Sequence, residues 1–338
     1  MAFHKKLMLF LLSGCLLFVG CRQGRTGTSN ETSEDLEVEA SITSDAPFIA
    51  DQHIATEAVL RAIPPAYLEK ARDSLHIAYQ HTSHGTHVTR GMFGLPDYKE
   101  GDDLLFGITV NTPEAGKLDF NDYAMVDYAA PGVDAADLSR DETAFIQATR
   151  NFLDDKANDH INVIMWSWCN IGGHLPATNY LPGIDSLVSE YGPGGSRIGT
   201  GEGQRKHPVT FILMTGHANL ENNVGEGNPR DQAEIILEYA RKKGLFCLDY
   251  YGIDTHDMEG NYWEDAGDDG NSAAYGGNFY RDWQDKHELG AGWYENRKAP
   301  GGEVAFGAHN SQHITANRKA FAMWWILARI AGWDGVSE

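Results

Sequence analysis

Apolar runs and amphipathic stretches alternate along the chain from about residue 60 onward. Short apolar runs typical of buried strands cover residues 76–80, 123–128, 161–168, 208–215 and 245–250. Apolar positions at helical spacing predict helices over residues 141–155, 231–243 and 317–332. Strands that alternate with helices are typical of crossover connections and a parallel sheet. The pattern therefore predicts the α/β class, as a three-layer α/β/α sandwich with five mostly parallel strands.

Two long stretches interrupt this alternation. Residues 172–206 are rich in Gly and Pro, and residues 252–308 are rich in Asp, Gly, Asn and Trp. Long loops in compact domains are more often functional than idle, so we expect these two to form the walls of a substrate groove. No linker-like segment follows residue 50, which predicts a single domain over residues 51–338.

The N-terminal residues have the features of an export signal. Lys5 and Lys6 precede an apolar run that ends at Cys21, with a small residue before the cysteine. The arrangement resembles the lipobox of bacterial lipoproteins, in which the cysteine is acylated. We expect residues 1–20 to be a signal peptide, Cys21 to be the lipidated residue and residues 21–50 to be a flexible tether. The domain would then be exported and lipid-anchored at the bacterial cell envelope, on the periplasmic or outer surface.

Two other interpretations of this segment stay open. Cys15 also follows a lipobox-like sequence, although acylation there would leave a very short apolar run. The second alternative is an ordinary signal peptide in which the cysteine at position 21 is incidental.

The acidity of the chain limits its partners. The formal net charge is −21, which repels phosphate backbones and anionic lipid headgroups. We therefore expect no nucleic-acid partner, and contact with a membrane only through the N-terminal lipid. Cys169 and Cys247 lie in apolar runs, where two buried thiols are the simpler interpretation and a disulfide is the alternative.

Three loops that follow predicted strands carry groups suited to acyl transfer. Ser83 follows the first strand, and a serine at a strand-to-helix turn can present its hydroxyl as a nucleophile. Asn170 can donate its side-chain amide to an oxyanion, and Gly132 can donate its backbone N–H. Taken singly, each has a simpler explanation: Ser83 as a helix N-cap, Asn170 as an Asx turn and Gly132 as a turn glycine.

Two histidines, His309 and His313, precede the last predicted helix. A general base must titrate near the working pH and reach the serine, and histidine is the usual choice. A lone histidine before a helix is more often a capping or packing residue. What favours a catalytic interpretation is the order of Ser83, Gly132, Asn170 and then His313 in successive loops.

This order of residues resembles the SGNH (GDSL-like) hydrolase superfamily. The order of strands, loops and helices resembles that of the superfamily from about residue 70 to residue 335, although the motifs themselves are degenerate. It implies a flavodoxin-like sheet and Ser83 as the nucleophile. It also implies an oxyanion hole formed by the backbone of Ser83, the N–H of Gly132 and the amide of Asn170, with His313 as the base. No cofactor is implied.

The sequence departs from the family at three motifs. Ser83 follows His-Thr where the family has Gly-Asp, Asn170 follows Trp-Cys where the family has Gly-x, and Asn310 replaces the aspartate of Asp-x-x-His. An asparagine does not stabilise an imidazolium as a carboxylate does. The partner of the base is therefore a backbone carbonyl, Asp249 or Asp254, and His309 is the alternative base. The expected substrate-binding residues are His84, Trp168, His217 and Asn219.

Two further features bear on metals and sugars. The acidic residues 254–269 could bind calcium, but they match no EF-hand spacing and a solvated loop is the simpler interpretation. His81, His84 and His87 lack a His-Glu-x-x-His helix, so no metal site is predicted. The aromatic residues of the segment 262–294 either stack on sugar rings or pack the loop onto the sheet.

Together these features predict a serine-dependent ester hydrolase without a cofactor, a carbohydrate esterase or deacetylase acting on extracellular polysaccharide. A non-catalytic, glycan-binding surface lipoprotein with a degenerate fold of the same type is the first alternative, since the usual motif carboxylates are missing. A metal-dependent hydrolase built on the histidines is the second. A chelator would inactivate that enzyme, and serine-directed probes would not label it.

Overall fold

A seven-stranded parallel sheet forms the centre of the computed structural model, which describes residues 47–335. In chain order the strands are Ile49–Ala50 (β1), His76–Gln80 (β2), Ile108–Val110 (β3), Leu118–Asp122 (β4), Val163–Trp166 (β5), Thr210–Met214 (β6) and Cys247–Leu248 (β7). Across the sheet they follow the order β1-β7-β6-β5-β2-β4-β3, and every neighbouring pair is parallel. The five central strands, which lie in the order β4-β2-β5-β6-β7 across the sheet, have the order of doubly wound, flavodoxin-like sheets. The strands β3 and β1 extend the two edges.

Helices connect the strands on both faces of this sheet. In the described residues they are Glu57–Ala62 (α1), Pro65–Ser74 (α2), Thr86–Gly94 (α3), Asp102–Leu105 (α4), Ala144–Asp154 (α5), Tyr180–Tyr191 (α6), Pro229–Lys243 (α7), Tyr250–Thr255 (α8), Phe279–Lys286 (α9) and Ile314–Ile330 (α10). A short antiparallel pair, Asn271–Ser272 (β8) and Gly277–Asn278 (β9), precedes α9.

Two hydrophobic cores lie on opposite faces of the sheet, as the alternation of side chains along β2 illustrates. Ile77 and Tyr79 are buried in one core, together with residues of α1, α2, α3 and α10. Ala78, between them, is buried in the other core with residues of α5, α6 and α7. The predicted three-layer α/β/α sandwich is therefore confirmed, with seven strands in place of five.

Helix α10 closes the first face and is buried along most of its length, from residue 314 to residue 328. It packs on α3, where Gly91 faces the backbone of Ala316. A Cβ atom at Gly91 would come within 2.0 Å of the Ala316 carbonyl oxygen, so only glycine permits this approach. The close packing brings the polar face of α10, including Lys319, beneath the loops at the carboxyl edge of the sheet.

Four of the five predicted strands are confirmed, β2 with the predicted bounds and the other three with shorter ones, and the prediction for residues 123–128 is wrong. The strand β4 ends just before this run, and residues Val126–Tyr128 form a 3₁₀ turn. The oxygen Oε1 of Gln80 accepts hydrogen bonds from the backbone N–H groups of Met125 and Val126, both at 2.9 Å. The run is apolar because Met125 packs in the core, but its backbone bonds to a side chain instead of a neighbouring strand.

Neither of the two long stretches is wholly a loop. Residues 172–206 contain α6, which includes Gly183. A Cβ atom at Gly183 would lie 2.7 Å from side-chain atoms of Phe145 and Ile146, so this glycine allows α6 to pack closely on α5. Residues 252–308 contain β8, β9 and α9.

The domain begins earlier than predicted. The carbonyl of Phe48 accepts a hydrogen bond from the N–H of Cys247 at 2.9 Å, and β1 pairs with β7, so the expected tether does not extend to residue 50. The predicted signal peptide and Cys21 lie outside the described residues. Between residues 47 and 335, no helix has both the length and the apolar character that crossing a membrane requires. Cys169 and Cys247 are free thiols, and Cys169 is only partly buried.

Candidate functional site

The sheet order creates a crevice at the carboxyl edge between β2 and β5. After β2 the chain continues into α3 on one face, and after β5 it continues into α6 on the other face. Ligands of doubly wound sheets bind at such a switch point, where neighbouring connections diverge. Ser83 and His84 lie in the loop after β2, and Cys169 and Asn170 lie in the loop after β5.

The turn after β2 is tightly packed. Ser83 has a φ angle of +25°, in a region that non-glycine residues rarely occupy. A Cβ atom at Gly85 would lie 2.4 Å from Cβ of His81 and 2.5 Å from Oγ of Ser167, so this position admits only glycine. The Ser83 hydroxyl has no hydrogen-bond partner among residues 47–335. Backbone strain that the surroundings maintain is a feature of functional sites.

The two residues before Ser83 anchor the turn to neighbouring loops. His81 Nε2 lies 2.7 Å from Oδ1 of Asp122, and the hydroxyl of Thr82 donates to the carboxylate of Asp137. The ring of His81 also packs on Tyr123, with 4.2 Å between the ring centroids. His81 is therefore a packed residue that holds the turn in place.

Three histidines from three different loops form a ring stack, and one of them, His84, directly follows Ser83 in the chain. The ring of His84 lies 3.7 Å from the ring of His217, centroid to centroid, at an interplanar angle of 14°. It also lies 4.7 Å from the ring of His309, at an interplanar angle of 26°. His217 follows β6 and His309 precedes α10, so the fold assembles residues that are distant in the sequence.

A buried carboxylate, Asp268, lies against this histidine cluster. Its Oδ2 atom is 3.4 Å from Nε2 of His84 and 3.7 Å from Nε2 of His87. The Nε2–H of His87 donates to the carbonyl of Ala308 at 2.9 Å. Asp268 is 8% exposed, and its Oδ2 accepts no hydrogen bond from the described residues. A buried oxygen of this kind is unusual, because nearly all buried polar groups are hydrogen-bonded.

Burial controls the protonation of the cluster. Burial, together with repulsion from His217 and His309, lowers the pKa of His84 to about 3. Burial lowers the pKa of His217 to about 4. Burial and the nearby charge of Asp254 raise the pKa of Asp268 well above its ordinary value. At neutral pH these two imidazoles are uncharged, and they supply no positive charge to balance the carboxylate.

A cavity of about 390 Å³ opens above the cluster. Its lining includes His84, Cys169, Asn170, His217, Asn219, Asp268 and His309. The Oδ1 atom of Asn170 accepts a hydrogen bond from the N–H of Gly172 at 3.0 Å, as in an Asx turn. The amide nitrogen of Asn170 has no partner among the described residues and is available to a ligand.

The predicted base, His313, lies away from this cavity. Its ring stacks on the rings of Phe306 and Trp293, at 4.4 and 5.6 Å between centroids. Its Nδ1 atom accepts a hydrogen bond from the backbone N–H of Asn296 at 3.1 Å. Burial lowers the pKa of His313 to about 4. His309, the alternative base, lines the cavity and has a φ angle of +63°.

Two further predicted site residues lie outside the cavity. Gly132 is exposed, has a φ angle of +81° and is not among the residues that line the cavity, so its geometry is that of a turn glycine. Trp168 is 1% exposed, and its Nε1–H donates to the carbonyl of Met214 at 3.2 Å. The structure contradicts the prediction that Trp168 binds substrate, because the side chain is enclosed in the core.

The candidate acidic partners of the base are occupied elsewhere. Asp249 accepts a hydrogen bond from the hydroxyl of Thr215 at 3.0 Å, and Asp254 accepts one from Nζ of Lys319 at 2.5 Å. Asn310 donates its side-chain amide to the backbone carbonyl of Asp268 at 3.2 Å. Asp268, whose Oδ2 lies 3.4 Å from Nε2 of His84, is the carboxylate that contacts the histidine cluster.

Sequence analysis did not single out Asp268, which belongs to the acidic stretch interpreted as a solvated loop. Other carboxylates of that stretch are satisfied locally. Asp257 accepts from Asn261 and Trp263, and Asp265 accepts from Ser272. No residue spacing distinguishes Asp268 from them. What distinguishes it is its position beside His84, which only the fold produces.

The aromatic residues of the same stretch mainly pack on one another. Phe279 and Tyr280 are buried with Ile314, and the remaining members of this small cluster surround them: Met258, Trp263, Ala266, Tyr275, Trp283 and Trp293. Tyr262 is more exposed, at 44%. Packing thus accounts for most of the aromatic residues that the sequence offered as a surface for sugars.

No family model matches the chain, and comparisons with curated proteins and with solved structures find no significant match. The resemblance to SGNH hydrolases therefore stays a prediction.

Proposed function

We propose that this protein is a hydrolase that cleaves an ester bond, with Ser83 as the nucleophile. Ser83 is not itself among the residues that line the 390 Å³ cavity, but His84, which follows it, is, and we place the substrate in that cavity. The observation that supports this best is the convergence at the switch point. Ser83 precedes His84, whose ring stacks on His309, and Asn170 lines the same cavity from the neighbouring loop. A strained serine beside a histidine and an amide donor has the parts required for acyl transfer.

Each residue has a defined role in this proposal. The hydroxyl of Ser83 attacks the ester carbonyl, and its proton passes to His309, which gives it to the departing alcohol as the ester C–O bond breaks. His309 then takes a proton from water, which attacks the acyl group on Ser83 and releases it as the carboxylic acid. The amide nitrogen of Asn170 donates to the oxyanion. His309 replaces His313 as the proposed base, because the rings and backbone around His313 enclose it away from the cavity.

The size of the cavity favours a compact acyl or alkyl group on the ester. A carbohydrate ester outside the cell stays a prediction from the sequence, as do the lipid anchor and the location at the cell envelope. Packing accounts for most of the aromatic residues that a glycan-binding protein would use, whereas the missing motif carboxylates still favour that alternative.

The direct test is hydrolysis of p-nitrophenyl acetate by the wild-type chain and by Ser83→Ala. We expect kcat to fall by about 10³-fold or more in the variant, with an unchanged melting temperature, because no other hydroxyl takes the same position. A fluorophosphonate probe should label the wild type and not the variant. Turnover by Ser83→Ala at the wild-type rate would rule out the assignment.

A matched pair of variants tests the choice of base. His309→Gln should lower kcat by about 10²-fold or more, whereas His313→Gln should retain most of the activity per folded molecule. Both substitutions remove one imidazole and leave an amide of similar reach. The opposite ranking would restore His313 as the base.

A further inference from the structure

His84, His217 and Asp268 come together from three separate segments of the chain. Each contributes one ligand atom, and these three atoms lie within 4.8 Å of one another. Two imidazole nitrogens and a carboxylate oxygen, beside a cavity that leaves room for a further ligand, form the donor set of many catalytic metal sites.

We propose that His84, His217 and Asp268 bind one divalent transition-metal ion, with Zn²⁺ as the preferred ion, at the floor of the cavity. The nitrogen-rich donor set favours zinc, nickel or cobalt over calcium and magnesium, which prefer oxygen ligands.

The state of Asp268 is the second observation that points to a cation. Its Oδ2 atom is buried without a hydrogen-bond donor among the described residues, and two histidine nitrogens lie at 3.4 and 3.7 Å from it. One of them, Nε2 of His87, directs its proton to the carbonyl of Ala308. A bound cation would satisfy this oxygen and would compensate the burial of its charge.

His217 is already in the tautomer that a metal ligand requires. Nδ1 of His217 lies 2.6 Å from the carbonyl of Ala218, which can only accept, so the ring proton is on Nδ1. Nε2 of His217 therefore keeps its lone pair, and a carbonyl partner on the other nitrogen is typical of metal-binding histidines.

A second layer of contacts holds the ligands in place. The N–H of Ala218 donates to Oδ2 of Asp254 at 3.2 Å, and Asp254 pairs with Lys319. The hydroxyl of Thr315 donates to the backbone carbonyl of Asp268 at 3.0 Å. Helix α10 thus fixes the two loops that carry His217 and Asp268, as outer contacts do in metal sites.

Binding would require a small rearrangement. Tetrahedral bonds of about 2.0–2.2 Å place ligand atoms roughly 3.4 Å apart, closer than the present spread. The rings of His84 and His217 are also stacked, and a metal cannot lie in the planes of two parallel rings at once. One ring must rotate out of the stack, so metal binding should change the environment of both histidines.

Metal binding does not depend on the proposed ester hydrolysis. If that proposal holds, the ion would polarise the ester carbonyl or a water molecule beside Ser83.

The test uses the full chain, stripped with EDTA and dialysed, and titrated with ZnCl₂ by calorimetry and with CoCl₂ by visible absorption. We expect one ion per chain, an absorption band of bound Co²⁺ and a higher melting temperature with Zn²⁺. Asp268→Asn and His217→Gln should each weaken Zn²⁺ binding by more than about 100-fold. Circular dichroism would verify that each variant is folded.

Asp269→Asn is the matched control, because Asp269 adjoins Asp268 but bonds to the N–H of Asn271 at 3.0 Å. It should bind Zn²⁺ as the wild type does. Absence of binding by the folded wild type, or equal binding by the folded Asp268→Asn variant, would overturn the proposal. Zinc binding without any esterase activity would support the metal site and contradict the proposed function, so the two can fail separately.

Discussion

Two buried carboxylates, Asp268 in the cavity lining and Asp254 outside it, have different surroundings. Asp254 accepts a hydrogen bond from Lys319 on one oxygen, at 2.5 Å, and from the N–H of Ala218 on the other, at 3.2 Å. Asp268 has no donor for its Oδ2 atom among the described residues. Burial raises the pKa of both carboxyl groups, and the pKa of Asp254 is raised to about 6. A carboxylate that stabilises the fold is surrounded by donors, whereas Asp268 retains a free binding position.

The largest effect should come from breaking the Asp254–Lys319 pair. Lys319→Met removes the cation and leaves a fully buried carboxylate without its charge partner. We expect the free energy of unfolding at pH 7 to fall by about 3–5 kcal/mol, as measured by urea denaturation.

The double variant Asp254→Asn with Lys319→Met is the control. It removes both charges, so it should recover part of the lost stability. If Lys319→Met alone were as stable as the wild type, Asp254 would not depend on this partner and the contrast with Asp268 would be lost.

The next effect concerns the histidines that surround Asp268. The pKa of His217 is lowered to about 4, so the folded state resists protonation there more than the unfolded state does. The stability that this histidine contributes is present above its ordinary pKa of about 6.5 and is lost as the pH falls towards 4. In His217→Gln, the loss of stability between pH 7 and pH 4 should be smaller by about 1–3 kcal/mol.

His313→Gln separates this titration from metal binding. The pKa of His313 is also lowered to about 4, but its ring lies outside the cavity. We expect a similar change in acid sensitivity for both variants, whereas added Zn²⁺ should stabilise His313→Gln and not His217→Gln. Equal stabilisation of the two variants by Zn²⁺ would show that His217 is not a ligand.

The sequence predicted those parts of the molecule that depend on local patterns. The run at His76–Gln80 is apolar and ends at a polar turn, so both the strand β2 and Ser83 after it could be located. The equally apolar residues 123–128 were mistaken for a strand, because their backbone bonds to the distant side chain of Gln80. The pattern of apolar residues along a segment does not show which distant side chain its backbone will bond to.

The site illustrates the same limit. Ser83 and Asn170 were found because each directly follows a strand. Asp268 follows no strand of the main sheet and lies among many acidic residues, so nothing local marks it. His313 was preferred to His309 through the resemblance, and the aromatic rings that enclose His313 come from segments that sequence spacing does not connect.

A smaller effect is expected from Asp268→Asn in the metal-free protein. The pKa of Asp268 is raised, so its contribution is greatest at low pH and is lost as the pH rises through the folded-state value. The variant lacks this buried charge, so it should be more stable than the wild type by about 1 kcal/mol at pH 8. Near pH 4 the variant and the wild type should have similar stability. Saturating Zn²⁺ should reverse the order at pH 8. A loss of stability in the metal-free variant would show that Asp268 supports the fold, as Asp254 does.

The smallest effect is expected at Asp249, a third buried carboxylate that lies between the two extremes. It has donors, with the Thr215 hydroxyl at 3.0 Å and the N–H of Gly252 at 3.1 Å, but no cation among its hydrogen-bond partners, and burial raises its pKa to about 6. Asn keeps an oxygen that can accept both hydrogen bonds and cap α8, so Asp249→Asn should change stability by less than about 1 kcal/mol.

The raised pKa of Asp249 means that the wild type loses stability as the pH rises from 4 through 6, and the variant should not show this loss. Urea denaturation at pH 4 and pH 8 measures the difference. Parallel pH profiles for the two proteins would indicate that hydrogen bonds alone accommodate the Asp249 charge, and a missing cation would then not explain the state of Asp268.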